Sequence, residues 1–153
     1  MSIARAGLMT GLAGGALDFA AASTIYPLAY PSLTFMRLWQ SVAVGVLGKA
    51  SYDGGAGSAL LGIALHFFIA LCAGFVFAVV MSRAALFQRL WLVSGAVYGV
   101  SMYFFMQKIV LPLSKVGLQH PNAKSLAIGL GIHIFIFGIG SAFVARRYLS
   151  QRG

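Results

Sequence analysis

The sequence predicts an all-α membrane protein: four transmembrane helices built as two similar helical hairpins, plus an interfacial helix in the first loop. Hydrophobic residues make up 60% of the 153-residue chain and charged residues 8%, with Asp18 and Asp53 the two acids. A soluble domain carries about 25% charged residues. Mean hydropathy is +0.91, and four apolar runs are long enough to cross ~30 Å of hydrocarbon at ~1.5 Å per residue. A soluble enzyme, a secreted disulfide scaffold and a disordered tail are excluded together. The single Cys72 rules out an internal disulfide.

The spans fall at about residues 6–27, 58–81, 90–112 and 125–145. The first and third runs end at Pro27 and Pro112, the second at Arg83 and the fourth at Arg146-Arg147. They lack barrel-type alternation, and a helix is the open-ended structure that satisfies its own backbone in lipid. The first run resembles a signal peptide, with Arg5 ahead of it and Ala20-Ala21-Ala22 as a cleavage-like site. Asp18 interrupts its apolar region, however, and the segment has a partner later in the chain, so we expect it to be a span.

That partner belongs to an internal repeat. Ser58, Gly62 and His66 recur 67 residues later as Ser125, Gly129 and His133, within SALLGIALHFFIALCAGFVFA and SLAIGLGIHIFIFGIGSAFVA. Thr10-Gly11 and Gly15 align more weakly with Ser94-Gly95 and Gly99. Two hairpins starting on the same side imply a pseudo-twofold axis along the membrane normal.

The hairpins differ in their loops. About residues 32–50 read as an interfacial helix, lying in the headgroup region or dipping into it, with Trp39 at headgroup level. A fifth span there would place Arg37 and Gln40 in hydrocarbon.

The net charge of +9 does not point to nucleic acid, because the basic residues stand singly at span ends and form no stripe for phosphates. Arg5, Arg83, Arg89, Arg146, Arg147 and Arg152 fall on one side; Arg37, Lys49, Lys108, Lys115 and Lys124 fall on the other, with Asp53. The Arg clusters predict both termini in the cytoplasm.

Ionisable residues inside a span are costly and so are functional candidates. Asp18, His66 and His133 qualify. Counted along their helices, all three fall roughly 12–14 Å below one surface, with Tyr103 at about the same level. The expectation is an intramembrane polar layer of Asp18, His66, Tyr103 and His133, one member per helix. Gly7, Gly11 and Gly15, with Gly95 and Gly99, make small-residue stripes suited to helix packing. Small residues flank each His, including Gly62 and Gly129 four positions before, which would admit a neighbouring backbone or a flat ligand.

Four readings of the layer compete. Neutral side chains hydrogen-bonding across helices would fix register. His66 and His133 as axial ligands would hold a b-type haem. Asp18 with the imidazoles would carry protons or a small solute, given oligomers to build a pathway. Two His and one carboxylate would bind a metal, although no HxxxH or CxxC spacing reinforces that, and Cys72 points elsewhere on its helix. Met102 and Met106 read as packing residues and His120 as a loop residue. No phosphate-binding glycine loop, nucleophile elbow or carboxylate pair marks an enzyme.

Taken together, LHFFIALCAGFVFA (65–78), SGAVYGVSMYFFMQKIVLPLSKVG (94–117) and GIHIFIFGIGSAFVARRYL (131–149) resemble the YagU family of bacterial inner-membrane proteins. The likeness covers the last three helices and the glycine-rich start. It implies a four-helix inner-membrane protein, with a link to acid tolerance in one member and no catalytic residues. His66 and His133 match positions where that family carries His. The long first loop and the absence of Glu depart from its pattern.

The expected function is therefore a small non-enzymatic accessory subunit that packs against partners or copies of itself in a larger inner-membrane complex, such as a respiratory one. The alternatives are a bis-His haem protein and a proton-linked transporter or acid-response protein.

Overall fold

The computed structural model describes residues 2–150, and Arg152 of the charge pattern lies outside them. The described chain is helical: α1 (Ile3–Ala29), α2 (Phe35–Leu47), α3 (Gly55–Arg83), α4 (Ala85–Arg89), α5 (Trp91–Leu113) and α6 (Ala123–Ser150). Of these, α1, α3, α5 and α6 are long and apolar enough to cross a membrane.

Local chemistry sets the helix starts. The side chains of Ser2, Thr34 and Asn122 accept from the backbone N–H three residues on, at Arg5, Arg37 and Ser125, as N-caps do. The ends run past the expected prolines. Pro27 lies inside α1, which continues to Ala29, and so near a terminus its missing N–H costs a single helix bond. Pro112 lies inside α5, directly after a wider π-type turn at Met106–Val110. A proline ring crowds the carbonyl four residues back, here that of Lys108, and the widened turn makes room for it.

The long helices form an arc in which α1 lies between α3 and α6, and α6 between α1 and α5. Glycine permits the crossings. A Cβ at Gly74 would strike the backbone of Gly11, and one at Gly138 the backbone of Gly95 and Gly99. Close backbone approach between small residues is how helices hold together where lipid removes the hydrophobic drive. Gly7, Gly11, Gly15, Gly95 and Gly99 are all buried by these contacts.

Two apolar clusters close the ends unequally. At the terminal end, Ala6, Phe77, Ala78, Met81, Ala142, Ala145 and Leu149 interlock, and Phe77 stacks on Tyr98 at 4.0 Å to join α3 to α5. At the loop end the cluster is smaller, made of Ala22, Leu38, Trp39 and Ala59.

Helix α2 packs into the bundle, and Trp39 is 2% exposed. It stacks on Phe19 at 4.6 Å, and its indole N–H donates to Ser23 Oγ at 3.1 Å. The reason is Gly62, whose bare backbone meets the carbonyl of Trp39 and lets α2 settle into α3. Gln40, which argued against burial, is 3% exposed. Its side-chain amide donates to the Gly55 carbonyl at 3.1 Å, and its backbone carbonyl accepts from Ser51 Oγ at 2.7 Å. Polar groups are tolerated in the interior when paired in this way. Large apolar side chains such as Leu60, Phe68, Val97 and Phe135 stay exposed, as suits helices that face lipid.

Candidate functional site

Asp18 on α1, His66 on α3 and His133 on α6 line one cavity of 210 Å³, together with Val42, Ile69, Met102, Met106 and Gln107. Asp18 is 8% exposed, and its Oδ1 is buried without a hydrogen-bond partner. Its Oδ2 stands 3.9 Å from His66 Nδ1, beyond hydrogen-bond range. Leaving a carboxylate oxygen unpaired costs free energy on the scale of a lost hydrogen bond or more. A proton, a water or a cation would each satisfy this oxygen.

Each imidazole is fixed by a carbonyl. Nε2 of His66 lies 3.0 Å from the carbonyl oxygen of Gly15. Nδ1 of His133 lies 2.9 Å from that of Gly129. A carbonyl accepts only, so the proton sits on Nε2 in His66 and on Nδ1 in His133 when each ring is neutral. Gly15 brings the partners close, because α3 presses against it with Ala70 and Phe67. The His133 bond lies within its own helix, at the start of a π-type stretch, Ile132–Gly138. A side chain that takes the carbonyl four residues back competes with the helical ladder, which accounts for the widened turns.

The cavity adjoins a second one of 520 Å³ at the loop end, and the two share the walls Val42, Ile69, Met106, Gln107 and Leu111. The outer cavity also takes in Ser41, Gln119, His120 and Ser125. Gln107 stands between the two, with its Oε1 buried and unpartnered. Towards the termini lie the Gly11–Gly74 and Gly99–Gly138 crossings and the larger apolar cluster.

Of the predicted layer, Asp18, His66 and His133 come together. Tyr103 does not line the cavity. It is buried behind His133, with ring centroids 5.6 Å apart, where its ring covers Gly129. Gln107 and Val42, which also line the cavity, were not among the predicted site residues. Gln107 had a usable signal, as an uncharged polar residue within the third apolar run. Met102 and Met106, read as packing residues, are cavity walls.

The space around His66 and His133 is taken up by the chain itself. One ring nitrogen of each is engaged with a carbonyl, and the Gly62 and Gly129 gaps are filled by the Trp39 backbone and the Tyr103 ring. The 210 Å³ cavity is also smaller than the ~300–1,000 Å³ typical of small-molecule pockets. Among the described residues no three His, Cys, Asp or Glu side chains converge to hold a metal ion. Cys72 is exposed on an apolar groove of 460 Å³ between α3 and α5. Comparison with protein families, curated proteins and solved structures finds no match for the chain.

Proposed function

We propose that this chain is a proton-handling integral membrane protein, in which Asp18 takes up and releases a proton with His66 and His133 as relay partners. One observation carries the reading: the unpartnered Oδ1 of Asp18 beside a cavity shared by two imidazoles. A buried carboxylate without a partner is stabilised by a proton, by water or by a cation, and imidazoles exchange protons near neutral pH. The loop-end cavity supplies the route by which water reaches the site.

The accessory-subunit reading rests on the small size of the chain; its glycine stripes are occupied within the chain by α3 and α6, and its exposed apolar faces suit lipid as well as protein. The reading involves no catalytic step. We take the two hairpins as copies of one unit, supported by the like placement of His66 and His133. We take α2, at 13 residues too short to cross, as an element dipping from the interface to the level of His66. The resemblance to the YagU family supports a bacterial inner-membrane location with cytoplasmic termini, and its link to acid tolerance agrees with proton handling.

The test is proton flux into liposomes loaded with a pH-sensitive dye. Wild-type protein is expected to pass protons above the empty-liposome rate, and Asp18→Asn to reduce that excess by about tenfold or more, as loss of a positioned proton carrier does. Equal flux in the variant would sink the reading.

A further inference from the structure

The tautomers set by Gly15 and Gly129 have a chemical consequence for the cavity. With Asp18 ionised, its polar atoms left over are acceptors: Asp18 Oδ1 and Oδ2, the Nδ1 of His66 and the Nε2 of His133. The N–H of each ring is already given to a backbone carbonyl, so neither turns a donor inward. At the entrance the Gln107 amide, with its Oε1 buried and unpartnered, adds an acceptor and, through its NH₂ group, a donor. Water alone fills such a site poorly, because each molecule brings acceptors as well as donors. A small cation rich in N–H groups matches it in both charge and hydrogen bonding. The ring of Phe137 also lines the cavity and offers its face to a cation.

We infer that the Asp18–His66–His133 cavity binds ammonium or a small primary ammonium ion, entering past Gln107 from the loop end. The inference rests on the proton-handling reading of the same site and names what the proton travels with. The volume of 210 Å³ compares with ~30 Å³ for one water in the liquid, so ammonium and methylammonium enter with room to spare. Ions without N–H donors, such as tetramethylammonium, leave the acceptors unpaired.

The experiment is thermal unfolding of the detergent-purified full chain, titrated with ammonium chloride, methylammonium chloride and tetramethylammonium chloride at matched ionic strength. Ammonium and methylammonium are expected to raise Tm saturably, and tetramethylammonium to leave it flat. Asp18→Asn is expected to weaken the apparent affinity by about tenfold to a hundredfold, the loss of one charge-assisted hydrogen bond. Gln107→Leu, which leaves the carboxylate in place, should weaken it by a smaller factor and serves if the Asn variant does not fold. An equal response to all three salts overturns the inference, as does an affinity unchanged in both variants. The two readings fail separately. Flux lost in Asp18→Asn without ammonium binding leaves proton handling intact and removes the cation. Selective ammonium binding without proton flux does the reverse.

Discussion

His66 and His133 stand in similar stretches of sequence on α3 and α6, yet each gives its N–H to a different kind of partner. His66 reaches across to the Gly15 carbonyl of α1, whereas His133 turns back onto Gly129 in its own helix. The first bond ties two helices together. The second ties nothing together and is accompanied by a π-type stretch. Similar sequence therefore produces one structural histidine and one local histidine, and the surroundings decide which. Beside His66, α2 packs over Gly62 and Trp39 crowds the His66 ring, centroids 5.2 Å apart. Beside His133 a side chain, Tyr103, lies over Gly129.

The largest effect should come from those two glycines. At Gly62 an added methyl would meet the Trp39 carbonyl, fixed backbone that cannot move without displacing α2. At Gly129 it would meet the edge of the Tyr103 ring at 2.6 Å, which a small rotation relieves. Gly62→Ala is expected to destabilise by about 1–3 kcal/mol, the usual cost of overpacking. Gly129→Ala should cost less than half as much. Chemical unfolding in mixed micelles measures both, and equal losses would break the contrast between a backbone cover and a side-chain cover.

The contrast also explains what the sequence could and could not convey. The four spans were legible because apolar length alone specifies them. The meeting of Asp18, His66 and His133 was legible because counting residues along straight helices gives depth. The burial of Trp39 was not, since it depends on Gly62 being met by a segment of distant sequence, and an amphipathic stretch looks the same on a membrane surface. The widened turns were invisible too. Nothing local distinguishes a His that bonds its own helix from one that bonds a neighbour. Gln107 was overlooked because its position beside Lys108 reads as a span end.

A middle-sized effect separates the histidines themselves. His66→Phe keeps the ring volume and removes a bond between helices, which in membrane proteins averages about 0.6 kcal/mol and reaches about 1.7. His133→Phe removes a bond within one helix, frees the Gly129 carbonyl for the ladder, and should leave stability nearly unchanged. Ring ¹⁵N NMR of the wild type gives a second reading, with the proton expected on Nε2 of His66 and on Nδ1 of His133. The same tautomer in both would show that α3 and α6 treat their histidines alike.

The smallest effect tests how α2 is held. The indole N–H of Trp39 donates to Ser23 Oγ at 3.1 Å, and no other side-chain bond links α1 to α2 among the described residues. Most of the grip then lies in apolar contact, in the Phe19 stack and the backbone approach at Gly62. Ser23→Ala is expected to cost about 0.6 kcal/mol, one bond between helices, and to leave the indole N–H unpaired without releasing α2. Tryptophan fluorescence reads the outcome, because Trp39 and Trp91 are the two indoles and a Trp91→Phe background isolates Trp39. Emission should stay at the wavelength of a buried ring. A shift to that of a hydrated ring would mean that the single hydrogen bond, and not the packing on Gly62, holds α2 down.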